Sequence, residues 1–170
     1  FGHFGKGIGE FRYPVGIALT PEGHIWISDW KNNRVSKHDV YGKYLAPLNP
    51  KGKAFKGPVG VALDRKGNII VAEHLRHWVR KYDAAGDEVW RIGTRYHGGG
   101  QGQFKSPRGV AVDSRDHVFV ADTGNGRIQE YTPSGSYVKS YVFRDPVTGK
   151  PAKPRGVAVD HQDRVWGVYS

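Results

Sequence analysis

The hydrophobic positions of this chain fall into short runs separated by polar turns that contain glycine. In runs such as His24–Asp29 and His117–Asp122, three or four consecutive apolar residues are bounded by polar ones, and no longer run has the 3.6-residue period of a helix. Short apolar runs bounded by turn residues predict β-strands, whose successive side chains point to opposite faces. The segments Pro21–Gly23 and Pro133–Gly135 have the composition of tight turns. The pattern therefore predicts an all-β protein of short antiparallel strands.

The strand pattern repeats along the chain. A Pro-x-Gly-x-Ala motif occurs four times, and its prolines are 44, 49 and 47 residues apart. A second apolar run follows each motif, and its last residue lies 13 positions after the motif glycine in every copy. The motifs begin at Pro14, Pro58, Pro107 and Pro154. A register kept through four copies indicates one structural unit repeated along the sequence.

Two further apolar runs follow in each of the three complete copies, joined by turns at Gly42, Gly86 and Gly135. Four short strands in a repeat of 44–49 residues are typical of one blade of a β-propeller. We therefore predict an all-β, propeller-type domain of four-stranded antiparallel blades over residues 1–170. It would contain about 3.5 blades, at residues 12–56, 57–104 and 105–152, with a partial blade at 153–170.

The third copy runs from Gly100 through the motif at Pro107 to Asp122, Asn125 and Arg127, and it closely resembles the NHL repeat. The first copy, with Asp29, Asn32 and Arg34, is also close to that repeat. The resemblance implies an NHL-type propeller, a fold that serves many functions. NHL propellers usually close with about six blades. We therefore expect further blades in a longer parent chain, or copies that assemble head to tail, with an open arc as the third alternative.

The charge favours an anionic partner. The chain contains 26 Lys and Arg against 16 Asp and Glu, which gives a formal charge of +10. Such a balance suits nucleic acid, an acidic glycan, an acidic protein or an anionic surface. Cysteine is absent, which excludes disulfides but leaves the localisation open. No apolar run approaches the roughly 20 residues that a transmembrane helix needs.

In a propeller the loops divide between two rims. If the strands of each blade run outward from the axis, the loops after the second and fourth strands share one rim, which we call the top rim. The opposite rim, formed by the loops after the first and third strands, is the bottom rim. This assignment places sixteen bases and five acids on the top rim, against five bases and ten acids on the bottom rim. Arg34 and Arg127 are expected to pair structurally with Asp29 and Asp122.

The second copy departs from the pattern of its neighbours. Where the other copies have Asp-x-x-Asn-x-Arg, it has Glu73-His74-Leu75-Arg76-His77-Trp78. Imidazole, guanidinium and indole groups in one loop suit stacking and anion contacts, and a break in a local rule marks a candidate site, with neutral drift as the alternative. The predicted partner-binding residues are Arg12, Lys31, Lys56, His74, Arg76, His77, Trp78, Arg95, Lys105, Arg108 and Arg155.

Catalytic, metal and cofactor sites have little support in the sequence. His74, His77 and His97 lack a further ligand at a convincing spacing, and no serine lies in a nucleophile-elbow context. Peptidyl-hydroxyglycine amidating lyases are similar propellers that hold a central metal with His ligands in Pro-His-Gly motifs. The matching positions here are Val15, Val59, Arg108 and Arg155, which puts that activity in doubt for these blades.

The sequence therefore predicts a non-enzymatic module that binds a macromolecule through a basic top rim, without catalytic residues, metal or cofactor of its own. The partner is expected to be a protein or an anionic polymer, with RNA (by family analogy alone) and acidic glycans among the candidates. The alternative is an enzyme of the amidating-lyase or hydrolase type whose metal site lies in other blades.

Overall fold

The computed structural model describes residues 2–48, 50 and 54–169, which form fourteen β-strands and one turn of 3-10 helix at Thr123–Asn125. The first sheet contains β1 (Pro14–Leu19), β2 (Ile25–Asp29), β3 (Arg34–His38) and β4 (Tyr44–Pro47). The second contains β5 (Pro58–Leu63), β6 (Ile69–Glu73), β7 (Trp78–Tyr82) and β8 (Glu88–Ile92). The third contains β9 (Val110–Val112), β10 (Val118–Asp122), β11 (Arg127–Tyr131) and β12 (Tyr137–Tyr141). The last contains β13 (Pro154–Val159) and β14 (Val165–Tyr169).

Each sheet is one blade, and its strands pair in sequence order. Every strand pairing is antiparallel. Three blades have four strands each, and the fourth has two among the described residues. The first strands of successive blades, β1, β5, β9 and β13, lie side by side and form the inner wall. The fold predicted from the sequence is therefore confirmed as an incomplete β-propeller.

The core lies between the blades rather than inside one sheet. One cluster joins the first and second blades and includes Trp26, Val35 and Tyr82. Another joins the second and third blades and includes Ile70, Phe104 and Val120. Because strands buried on both faces need apolar side chains on both, β6 and β10 read as nearly continuous apolar runs.

Glycine is required where the inner strands meet. A Cβ atom at Gly16 would overlap the carbonyl oxygen of Val59, and one at Gly60 would overlap that of Arg108. The Ser28 hydroxyl also donates a hydrogen bond of 2.5 Å to the Val59 carbonyl oxygen across this junction. The motif glycine therefore sets how closely one blade approaches the next.

The two outer faces of the arc are apolar and exposed. On the first blade, Val15, Ile17 and Leu19 are 49%, 61% and 67% exposed. On the last blade, Trp166 and Val168 are 56% and 66% exposed. Val59 and Val61, the equivalents of Val15 and Ile17 in the second blade, are each only 5% exposed, so these faces have the chemistry of blade interfaces.

Candidate binding face on the top rim

The buried carboxylate that ends the second strand of each complete blade fixes the connector entering that blade. Asp29 accepts hydrogen bonds from the backbone N–H groups of Arg12 and Tyr13. Glu73 accepts one from Lys56 N–H at 2.8 Å, and Asp122 accepts one from Lys105 N–H at 2.8 Å. The predicted binding residues Arg12, Lys56 and Lys105 therefore have anchored backbones, while their side chains are exposed on the top rim.

Arg34 and Arg127 are structural, as their pairing in the sequence suggested. Arg127 Nε donates to Asp122 at 2.9 Å, and its Nη2 donates to the carbonyl oxygens of Gly100 and Gln103. Arg34 likewise lies 3.6 Å from Asp29 and donates to carbonyl groups of the preceding connector. Both guanidinium groups bind carbonyl oxygens of the preceding connector and pair with a buried carboxylate, so few of their N–H groups remain for a ligand.

In the second blade the arginine has moved along the strand. Trp78 occupies the register position of Arg34 and Arg127, and the guanidinium comes instead from Arg80, two residues further along β7. Arg80 Nε lies 2.5 Å from Glu73 Oε1, and the Arg80 side chain is only 1% exposed. Glu73 is one methylene longer than Asp, so its carboxylate meets the displaced arginine. The Glu73 substitution is therefore part of a compensated rearrangement.

Arg76 takes the structural place of an asparagine. Asn32 and Asn125 donate to the connector carbonyl oxygens of Gly5 and Gly98, at 2.8 and 2.7 Å. Arg76 donates in the same way to Ala54, and its Nη1 lies 3.6 Å from Glu73. These contacts commit much of its hydrogen-bonding capacity inside the blade.

Trp78 lies inside the blade and does not join the surface cluster that the sequence suggested. It is only 6% exposed, and the guanidinium groups of Arg76, Arg80 and Arg91 lie 5.2, 5.7 and 4.6 Å from its ring. The structure therefore does not present this indole for stacking on a ligand.

His77 links the second blade to the third. Its Nδ1 accepts the backbone N–H of Ser106 at 3.0 Å, and its ring centre lies 5.7 Å from that of His97. Its backbone is left-handed, with φ of 58°. Asn33 has the same backbone conformation in the first blade, and its Oδ1 accepts the N–H of Gly57 at 2.7 Å. Burial, together with His97, lowers the pKa of His77, which keeps Nδ1 available as an acceptor.

His74 lies beside the inner wall. It is half-buried, and its Nδ1 has no hydrogen-bond partner among the described residues. Burial is the main cause that lowers its pKa, with the charges of Arg108 and His77 adding to the effect. His74, His77 and Arg108 thus form a cluster whose imidazoles favour the neutral state.

A cavity of about 300 Å³ opens along the inner wall, lined by the first strands of all four blades. Arg108 and Arg155 both line it, beside Val15 and Val59. The backbone joins their strands directly, because Gly109 N–H donates to the Arg155 carbonyl oxygen at 3.1 Å. Two arginine residues therefore line the cavity at the axis.

A second basic cleft, of about 460 Å³, lies on the top rim of the first blade and is lined by Arg12, Lys31 and other polar residues. The Lys31 ammonium lies 4.6 Å from the ring centre of Trp30, which in turn packs edge-on against Tyr13 at 5.4 Å. The sequence analysis did not select Trp30 or Tyr13. Their position beside two predicted bases was the available signal.

The bases of the two rims differ in their ion pairing. Among the residues that the structure describes, seven predicted binding residues have no carboxylate within salt-bridge distance: Arg12, Lys31, Lys56, Arg95, Lys105, Arg108 and Arg155. On the bottom rim, Arg65, Arg115 and Arg164 pair with Asp116, Asp113 and Asp160, whereas Lys43 and Lys66 form no ion pair among the described residues. Lys51 and Lys53, also assigned to the top rim, lie outside the described residues.

Within the described ranges, the structure has no group of three or more His, Cys, Asp or Glu side chains that could hold a metal ion. In the same part of the chain, no helix has the length and apolar character needed to span a membrane.

The sequence model of the NHL repeat matches residues 11–37 and 104–131, which contain the first three strands of the first and third blades. Two blades of this chain are NHL repeats. The intervening blade at β5–β8 is the one with the altered Glu73–Trp78 loop, and the match does not include it. No curated protein sequence matches the chain.

Solved structures with the same fold support the propeller assignment of the NHL chain. A streptogramin B lyase superposes with a TM-score of 0.61 at 17% identity, over 92% of this chain and 62% of its own length. Virginiamycin B lyase from Staphylococcus aureus gives 0.58 at 18% identity, over 92% and 63%. Hydrazine synthase from Kuenenia stuttgartiensis gives 0.73 at 16% identity, over 94% and 43%. The NHL chain spans less than two thirds of each of these proteins, and the likeness concerns the fold.

Proposed function

We propose that this NHL chain is a binding module that uses its top rim to hold an anionic macromolecular partner, either an acidic protein surface or a polymer such as RNA or an acidic glycan. One observation carries the proposal: the top-rim bases Arg95, Lys105, Arg108 and Arg155 have no ion pair among the described residues. Unpaired cations gathered at one end of a molecule attract and orient an anionic partner.

The axis is the centre of the proposed face. Arg108 and Arg155 line the 300 Å³ cavity, and Lys105 is exposed a short distance away along the chain. These groups can contact phosphate, sulfate or carboxylate oxygens without breaking an internal bond. Arg76 contributes less, because its guanidinium already holds Ala54 and Glu73.

The test is the salt dependence of binding to three probes: heparin, a single-stranded RNA homopolymer and polyglutamate. Affinity for the preferred probe should fall steeply as salt rises, because each neutralised anion releases a counterion. The double variant Arg108→Glu/Arg155→Glu should weaken binding by about tenfold or more and reduce the salt slope. Salt-insensitive binding, or none to any probe, would overturn the proposal.

A matched control is the double variant Lys43→Glu/Lys66→Glu. Both lysines are exposed on the bottom rim and, within the described ranges, have no ion pair, so this variant changes the net charge by the same amount. Equal losses in the two double variants would show that only net charge matters. A loss confined to Arg108 and Arg155 supports a site at the axis.

A second candidate function is catalysis. It is favoured by the fold likeness to two lyases, the streptogramin B lyase and virginiamycin B lyase from Staphylococcus aureus. The amidating-lyase or hydrolase reading would place the metal and catalytic residues in other blades. Elemental analysis of the native protein distinguishes the two, since a metal bound on the axis supports the enzyme.

We also propose that the exposed faces of the first and last blades are covered, either by further blades or by a second copy of this chain. The side chains of Ile17, Leu19, Trp166 and Val168 support this, since each is more than half exposed. The mass of the native particle, compared with that of its chain, tests the proposal. A particle of one 18.9 kDa chain would contradict it.

A further inference from the structure

A cleft of about 510 Å³ separates the first and second blades at the bottom rim. Its volume lies within the roughly 300–1,000 Å³ typical of small-molecule sites. Apolar side chains form its floor, and a lysine and two glycine-containing turns border it. The lining includes Trp26, Lys37, Ala46, Leu63, Ile69 and Gly86.

The equivalent space between the second and third blades is filled by a tryptophan. Trp90 pairs with Lys81 on the neighbouring strand, just as Ala46 pairs with Lys37 in the first blade. The Trp90 indole N–H donates to the Pro133 carbonyl oxygen at 3.0 Å. The indole also packs on the Gly135 turn, where a Cβ atom would meet the ring at 3.2 Å. Gly86 is the counterpart of Gly135, so Ala46 leaves an indole-sized space in the cleft.

The lysine beside the cleft lacks the partner that its counterpart has. Lys81 Nζ lies 2.7 Å from Asp64 Oδ2 and also donates to the Pro133 carbonyl oxygen at 3.3 Å. The first blade has Thr20 at the position of Asp64. Among the described residues, Lys37 therefore forms no ion pair, and its Nζ lies 6.0 Å from the ring centre of Trp26.

Lys66, which is exposed, also lines the cleft, and the other charged groups around it leave Lys37 available. Arg65 is bound to Asp116 at 3.3 Å, and Asp64 is bound to Lys81. Glu22 is fully exposed, and the pKa of its carboxyl is lowered chiefly by the Thr20 hydroxyl, with a smaller contribution from Lys37.

The rim of the cleft is also more open than the corresponding junctions. Asp116 reaches back from the third blade to accept the Arg65 N–H at 3.0 Å, and Asp163 reaches back to accept the Ser114 N–H at 2.9 Å. The second blade has Gly67 at this position, and a Cβ atom there would meet nothing within 4 Å. Position 67 therefore supplies no side chain to tie this turn to the first blade, as Asp116 and Asp163 tie theirs to the preceding blades.

We propose that this cleft binds a planar aromatic acid of indole size. The aromatic ring would occupy the space that Trp90 fills in the next junction, against Trp26 and the Gly86 turn. A ring N–H would donate to the Ala84 carbonyl oxygen, the counterpart of Pro133. The ligand carboxylate would pair with Lys37, replacing the aspartate that the first blade lacks.

The test is titration of the full chain with indole-3-acetate, followed by calorimetry and by amide shifts in nuclear magnetic resonance. Shifts should be confined to Ala84–Gly86, Gly67 and the region of Lys37. Tryptamine, which has the same ring and a positive charge, should bind up to about fivefold more weakly, a difference typical of one exposed ion pair. No binding of indole-3-acetate, or equal binding of tryptamine, would overturn the proposal.

Two variants locate the site. Ala46→Trp should fill the cleft and abolish binding. Lys139→Trp is the matched control, because it places the same side chain at the equivalent strand position of the third blade and leaves the cleft open. Lys37→Met adds no bulk and should remove the preference for the acid. Retained binding in Ala46→Trp with unchanged circular dichroism, or an unchanged preference in Lys37→Met, would contradict the site.

Discussion

The first and second blades fix the same connector with different side chains. In the first blade, Asp29 receives two connector N–H groups, and Arg34, partly exposed, binds connector carbonyl groups beside it. In the second blade, Glu73 receives one N–H, and its guanidinium partner Arg80 is almost fully buried. The charge balance is preserved although both residues differ in position or length. A local departure from a repeat can therefore preserve a structural device, which weakens the case that this loop diverged for binding.

Burial makes the second arrangement the more vulnerable one. The Arg80 guanidinium lies between the rings of Phe55, Trp78 and Tyr82, at 5.2–5.7 Å from their centres. Burial is the main cause that raises the pKa of Glu73, and the charge of Arg80 opposes it. In this low-dielectric position an uncompensated charge is far more costly than at the surface.

The largest expected effect is that of Arg80→Met, which keeps the bulk and removes the charge. It should lower the free energy of unfolding by about 3–5 kcal/mol, because Glu73 loses its buried cation at 2.5 Å and keeps the more distant Arg76 at 3.6 Å. Chemical denaturation followed by fluorescence measures the change. Arg91→Met is the control, since Arg91 is 40% exposed in side chain and should cost less than about 1 kcal/mol. Equal losses in the two variants would contradict the compensated pair.

A smaller effect is expected when the second blade is given the pattern of the third. The triple variant Glu73→Asp/Trp78→Arg/Arg80→Gln restores the residues found at Asp122, Arg127 and Gln129. It should lie within about 2 kcal/mol of the parent, although Glu73→Asp alone loses reach to Arg80 and Lys56. Chemical denaturation of the three single variants and of the triple variant tests this. Additive losses in the triple variant would mean that the three positions do not act together.

The smallest effect concerns the pH dependence of the blade junctions. His77 accepts the Ser106 N–H only while Nδ1 is unprotonated, and burial lowers its pKa in the folded chain. The unfolded chain therefore takes up the proton first, near its ordinary pKa of about 6.5. Stability is full above that pH and falls as the pH drops towards the folded pKa.

His77→Asn should flatten this loss, because Asn33 performs the same role without a titrating group. The contribution of His77 to the loss of unfolding free energy between pH 7 and pH 5.5 is expected to be below about 1 kcal/mol. His38 and His74, whose pKa values burial also lowers, account for the pH dependence that remains in the variant. Thermal unfolding at several pH values measures it. His161→Asn, at an exposed turn, is the control. An unchanged slope in His77→Asn would rule out the His77 contribution.

The sequence was informative wherever a short-range rule governs the structure. Short apolar runs bounded by turn residues identified the strands, and the constant 13-residue distance from motif glycine to strand end identified the repeat. It also showed that Arg34 and Arg127 belong to Asp29 and Asp122. It failed at Trp78, which was expected beside a ligand but is buried in the structure. The residue types of a loop do not reveal which face of β7 a side chain occupies.

The sequence by itself determined the repeat, the blade and the excess of positive charge, because these depend on period, turn chemistry and composition. The tertiary structure decided which charges remain unpaired. Arg108 and Arg115 are the same residue type in the sequence, yet Arg108 lines the axial cavity and Arg115 forms an ion pair with Asp113. It also decided that Ala46 opens a cleft while Trp90 closes one, since that difference exists only where two blades meet. Contacts between residues 40 or more positions apart have no signature in either segment alone.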